Sequence, residues 1–127
     1  MPVRVLLVED DALQGLVAED ALLDAGHAVA LARDGAAALA FARGGAAFDV
    51  LVTDLSMPRL DGAALVRALR AGRPSLPVVA VTGYALSADD RAALDGGGEG
   101  RTVVLAKPWT PEAMAAAVLR VAPAREA

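Results

Sequence analysis

The stretch "DVLVTDLSMPRLDG", residues 49–62, decides the fold. Its apolar run, Val50-Leu51-Val52, is continuous where a half-exposed strand would alternate apolar and polar residues. That is the pattern of a strand covered on both faces, as in a parallel sheet. The run ends on one acid, Asp54, and a proline loop follows at once. Beyond it, residues 62–71 carry Leu65, Val66 and Leu69 at helical spacing and stop at Gly72 and Pro74. Strand, acid, loop and helix make one βα unit.

Working outward, the same alternation recurs. "VRVLLV" (3–8) reads as a strand, followed by a helix over 11–25 with Leu13, Leu16, Val17 and Leu23 at helical spacing and Gly26 as its stop. "HAVALA" (27–32) is a weaker strand; Asp34-Gly35 turns the chain into a short alanine-rich helix over 36–43, closed by Gly44-Gly45. "FDVLVT" (48–53) is the third strand and "LPVVAVT" (76–82) the fourth. Ser87 suits the N-cap of a helix over 88–95. "TVVLA" (102–106) is the fifth strand, and Thr110 caps a last helix with Pro111 at its first position and Met114, Val118 and Leu119 on one face. Five βα units predict a three-layer α/β sandwich of the doubly wound class. "DGGGEG" (95–100) reads as a flexible loop and "APAREA" (122–127) as a frayed tail, with no second domain in 1–127.

The bulk numbers narrow the function. A chain of 127 residues fits one domain with a real core. Hydrophobic residues make up 56% and aromatics 3%, so Leu, Val and Ala must form that core. Without cysteine, neither disulfides nor thiolate metal sites are available. A net charge of −4 argues against a nucleic-acid surface, which needs a clustered basic excess. No apolar run approaches the ~20 residues of a membrane span, and the amino terminus does not resemble a signal peptide. The expectation is a soluble, cytoplasmic protein.

In an open parallel sheet the active crevice lies beyond the carboxyl ends of the strands. The first predicted strand ends in Glu9-Asp10-Asp11, the third in Asp54, the fourth in Thr82 and the fifth in Lys107. Three carboxylates brought close repel one another and raise their own pKa values. A hard divalent cation removes that cost, and Mg²⁺ takes oxygen ligands together with phosphate. Lys107 adds a mobile positive charge and Thr82 a hydroxyl donor. These are the parts needed to form and hold an aspartyl phosphate, with the carboxylate as nucleophile.

At this point the residues resemble a known family. "LLVEDD", "LVTDLSMPRLDG", "VVAVTGYA" and "AKPW", in this order and spacing, are similar to the receiver domains of bacterial two-component response regulators. The resemblance covers roughly residues 3–121. It implies a flavodoxin-like fold of chemotaxis-regulator type, with strand order 2-1-3-4-5. It implies Asp54 as phosphoacceptor, Glu9 and Asp10 as the acidic pair for Mg²⁺, and Ser56 as donor of a backbone carbonyl to the metal. It also implies Thr82 as switch hydroxyl, Lys107 as the phosphoryl-binding lysine, and a cis Lys107-Pro108 bond. Met57-Pro58 and Asp61-Gly62 match the loop after the acceptor, where turn formation and helix initiation explain them. Asp11 reads as a helix N-cap.

Two departures concern signal output. Val104 stands where many receivers carry Tyr or Phe three residues before the lysine. Thr82 is followed by Gly83-Tyr84, similar to a subgroup of stand-alone receivers, without the Phe-Ala that usually precedes the threonine. Tyr84, the sole tyrosine, either takes over part of the switching or merely covers the mouth of the site. The glycine loop 95–100 replaces a stretch that usually packs the fourth helix. His27 precedes a strand far from the rim, and Trp109 reads as packing.

The function implied is a phosphorelay switch. A histidine kinase or histidine phosphotransfer protein donates a phosphoryl group to Asp54, and the face of the fourth helix, fifth strand and fifth helix controls a downstream protein. The resemblance implies no enzyme beyond assistance to its own phosphorylation and dephosphorylation. The chain stops about where the fifth helix does, so a stand-alone receiver is expected, or one cut from a larger protein. One rival is a pseudo-receiver that no longer takes phosphate. Another is a haloacid-dehalogenase-type phosphatase, which needs a second Asp where Ser56 stands.

Overall fold

The computed structural model describes residues 2–56, 62–95 and 101–123. Met57, Pro58 and Asp61, most of the glycine loop, and residues 124–127 of the expected tail lie outside the described residues. Strands β1 (Arg4–Val8), β2 (Ala28–Ala32), β3 (Val50–Asp54), β4 (Val78–Thr82) and β5 (Thr102–Ala106) alternate with helices α1 (Ala12–Asp24), α2 (Gly35–Arg43), α3 (Gly62–Gly72), α4 (Ala88–Asp95) and α5 (Pro111–Val121). The strands pair in parallel in the order β2-β1-β3-β4-β5, the flavodoxin-like arrangement expected.

Every residue of β3 and β4 is buried, which explains their unbroken apolar runs. Successive side chains point to opposite faces and feed two cores. Val5, Leu7, Val50, Val52, Val79 and Val81 pack with Ala18 and Leu22 of α1 and Met114, Ala117 and Val118 of α5. Leu6, Val8, Leu51, Val78 and Ala80 pack on the other face with Ala38 of α2, Leu65 and Val66 of α3 and Leu94 of α4.

The helix ends follow local chemistry. The side chains of Asp11, Asp34 and Thr110 accept the backbone N–H three residues on, capping α1, α2 and α5. Asp34 caps α2 one residue earlier than expected, so that helix begins at Gly35. Ser87 and Asp90 cap α4 reciprocally: Ser87 Oγ accepts from Asp90 N–H at 3.0 Å, and Asp90 Oδ2 from Ser87 N–H at 3.2 Å. After α1 the chain turns at Gly26, whose φ of +91° a side chain would disfavour.

Two helix faces differ from expectation. On α1, Leu13, Leu16, Val17 and Leu23 are exposed, while Gly15, Ala18, Ala21 and Leu22 are buried. Small residues let α1 lie close to the sheet, so Leu22 is the one large apolar side chain of α1 that packs inward and the other four point outward. On α5, Met114 and Val118 are buried as expected, but Leu119 is exposed and Ala117 and Val121 complete the inner face.

Candidate functional site

Strand register assembles the rim. Val8 lies opposite Thr53, Asp54 opposite Val81, and Thr82 opposite Ala106. Backbone hydrogen bonds continue the ladder past the strand ends, from Leu55 N–H to Val81 O at 3.0 Å and from Lys107 N–H to Thr82 O at 2.8 Å. The side chains of Glu9, Asp54 and Lys107 therefore meet over the carboxyl edge of the sheet.

Lys107 Nζ donates to Asp54 Oδ2 at 2.6 Å and stands 3.9 Å from Glu9 Oε1. Ser56 N–H donates to Asp54 Oδ1 at 2.8 Å. Each of Glu9, Asp10 and Asp54 places a carboxylate oxygen within 4.8 Å of the others'. Glu9 and Asp54 are buried and Asp10 is exposed. Thr82 is buried, and its hydroxyl is closed on its own loop: it donates to Tyr84 O and accepts from Tyr84 N–H, both at 3.1 Å. The Lys107-Pro108 peptide is cis, as the resemblance implies.

Burial, reinforced by the Asp54 carboxylate beside it, pushes the Glu9 carboxyl up to about 7; the Asp11 N–H and the Lys107 charge act against this. Burial works against the Lys107 ammonium as well. Its hydrogen bond to Asp54 and the charges of Asp54, Glu9 and Asp10 outweigh that and hold its pKa above the usual lysine value. One ammonium thus leaves the carboxylates only partly compensated. An all-oxygen donor set of this kind fits Mg²⁺.

The supporting shell was less legible than the charged groups. Thr53 Oγ1 donates to Asp54 O at 3.0 Å from a fully buried position; a threonine inside an apolar run was its only signal. Glu9 Oε2 accepts from Asp11 N–H at 3.1 Å, which adds to the capping role expected of Asp11. Gly62 does more than start α3. A Cβ there would collide with the carbonyl oxygen of Asp54 and lie 2.7 Å from Leu55 Cα. Backbone cannot yield like a flexible side chain, so glycine alone lets α3 begin against the strand that carries Asp54.

The residues expected elsewhere are placed as follows. His27 is buried at the opposite end of the sheet, where its Nδ1 accepts from Val3 N–H at 3.1 Å. Trp109 packs partly buried against the α1/α5 core. Tyr84 and Val104 are both exposed, each at 45%.

Residues 5–119 match the model of the response regulator receiver domain. The response regulator protein FleR of Pseudomonas aeruginosa is 36% identical over 120 residues, covering 94% of this chain and 24% of FleR. The response regulator MprA of Mycobacterium sp. is 35% identical, covering 91% of this chain and 49% of MprA. The chain thus spans about a quarter of the one relative's length and about half of the other's. Among solved structures, the chemotaxis protein CheY4 of Vibrio cholerae superposes with a TM-score of 0.82 at 32% identity, over 95% of this chain and 99% of CheY4. On sequence and fold together, the chain belongs to the receiver domains of two-component response regulators.

Proposed function

We propose that Asp54 is the phosphoacceptor and that a histidine kinase or histidine phosphotransfer protein is its donor. The observation that carries this reading is the pairing of buried Asp54 with Lys107 at 2.6 Å inside a cluster of three carboxylates. A carboxylate oxygen of Asp54 attacks the phosphorus of the phosphohistidine. The P–N bond breaks, and the imidazole nitrogen keeps the electron pair. A Mg²⁺ ion held by Glu9, Asp10, Asp54 and the Ser56 carbonyl would neutralise charge on the transferred group.

Lys107, already against Asp54, pairs with a phosphoryl oxygen once the acyl phosphate forms. The Thr82 hydroxyl can donate to the phosphoryl group only by leaving the Tyr84 carbonyl. That exchange links the site to the segment before α4, and Tyr84 and Val104 lie exposed on the side that reads it out. The downstream partner is a protein recognising that face. The chain catalyses only its own phosphorylation and dephosphorylation, in the cytoplasm. Among the described residues no helix is long and apolar enough to cross a membrane.

A groove of about 610 Å³ opens beside Lys107, lined by Leu13, Val17, Pro108, Trp109 and Pro111 among others. Its apolar lining beside the acceptor suits the docking of the donor protein. The test is incubation with Mg²⁺ and acetyl phosphate followed by intact mass measurement. One phosphoryl adduct is expected on the wild type and none on Asp54→Ala. An unmodified wild type, or an undiminished adduct on the variant, overturns the assignment.

A further inference from the structure

We infer that α3 grips α4 at two points of unequal strength, so that α4 swings about a fixed carboxyl-terminal pivot at Arg70 while its amino-terminal end moves. The trigger for that swing rests on the phosphoacceptor reading above; the unequal grip does not.

Arg67 and Arg70 lie three residues apart on α3 and therefore on one side of it. Arg70 is 6% exposed, and among the described residues no carboxylate forms an ion pair with it. Its Nε and Nη2 donate to Leu76 O at 3.2 and 2.9 Å, and its Nη1 donates to Leu94 O. Nη2 also reaches Arg101 O at 3.1 Å and Thr102 Oγ1 at 2.9 Å. Thr102 Oγ1 in turn donates to Leu94 O at 3.1 Å. One guanidinium thus joins the approach to β4, the last turn of α4 and the start of β5.

Leu94 O belongs to the end of α4 that lacks helical partners and carries the negative pole of the helix dipole. The cation satisfies both needs at once. Burial pushes the Arg70 pKa down, with Asp95 acting against that shift. Truncating Arg70 would take two donors from the buried Leu76 carbonyl and leave Leu94 O with the Thr102 hydroxyl, which makes this attachment costly to break. Ala93 and Leu94 beside it are buried.

The other end differs. Arg67 Nη2 donates to Asp89 Oδ1 at 2.9 Å and to Asp89 O at 3.3 Å, and its Nη1 reaches Oδ2 at 3.5 Å, but the two side chains are 48% and 75% exposed. Water screens such a pair, so it holds less than the buried fork of Arg70. Residues 83–85 and 87–89 are exposed. This loosely held end leads straight back to Thr82. A rearrangement at the Thr82 hydroxyl therefore reaches the weak latch first and meets the strong one last.

Amide hydrogen–deuterium exchange on the full chain tests this, with intact mass recorded on the same samples. In the unphosphorylated protein, Arg70→Met should raise exchange over 92–95 and 102–104 by about tenfold or more. Arg67→Ala should change only 83–91. With acetyl phosphate and Mg²⁺ the wild type should change over 83–91 and stay within about twofold over 92–95. Equal responses of the two segments to phosphorylation, or no effect of Arg70→Met on 92–95, overturn the pivot. Should Arg70→Met fail to fold, Arg70→Lys keeps the charge but loses the fork; a smaller rise over the same residues supports the pivot, and no rise overturns it. A sample without a phosphoryl adduct counts against the phosphoacceptor reading, and the unphosphorylated comparisons then decide the grip alone.

Discussion

His27 illustrates how one residue far from the site enters the account. Burial holds its pKa below the usual 6.5, and its neutral Nδ1 accepts the Val3 N–H. Protonation would remove that acceptor and bury a charge. The unfolded chain binds a proton at His27 at a pH where the folded chain does not. This contribution is therefore fully present above the unfolded pKa and lost as pH falls through it towards the lower folded value. Denaturant unfolding at a series of pH values should show the wild type losing stability relative to His27→Gln as pH falls below about 6.5. An unchanged slope would remove His27 from the account. The sequence marked this histidine as remote from the rim, but not as an acceptor for β1, because a partner 24 positions away leaves no local trace.

At the scale of elements, α1 separates what patterning can tell from what it cannot. Its limits, its Asp11 cap and its Gly26 stop all follow from local chemistry, and all were legible. Its inner face was not. A helix with Leu, Val and Ala on most sides carries weak directional information, and closeness to the sheet selects the small side chains. Leu22→Ala should cost about 2–5 kcal/mol, because it empties a fully buried position. Leu13→Ala should stay within about 0.5 kcal/mol, because Leu13 stands in solvent. Thermal unfolding of the two variants checks this; equal losses would contradict the assigned face. The strands gave clearer signals, since burial on both sides leaves continuous runs that no surface strand needs. Arg70 lay at the other extreme: nothing in "RALRAG" distinguishes a surface arginine from one buried against three carbonyls.

For the whole molecule, topology explains why the candidate site was legible when its support was not. A parallel sheet in the order 2-1-3-4-5 brings the carboxyl ends of β1, β3, β4 and β5 to one edge. A reader who places the strands thereby places Glu9, Asp54, Thr82 and Lys107. The close approach at Gly62 and the Thr53 hydrogen bond depend on backbone geometry that forms only after the sheet does. On the proposed function, a phosphoryl group is carried on one carboxylate of this rim. The most direct measurement is borohydride reduction of the phosphorylated chain followed by peptide mapping. Reduction converts an aspartyl acyl phosphate to homoserine and leaves hydroxyl phosphates untouched. Homoserine is expected at position 54 and at no other aspartate. Homoserine elsewhere, or a phosphate retained on Ser56 or Thr82, would contradict it.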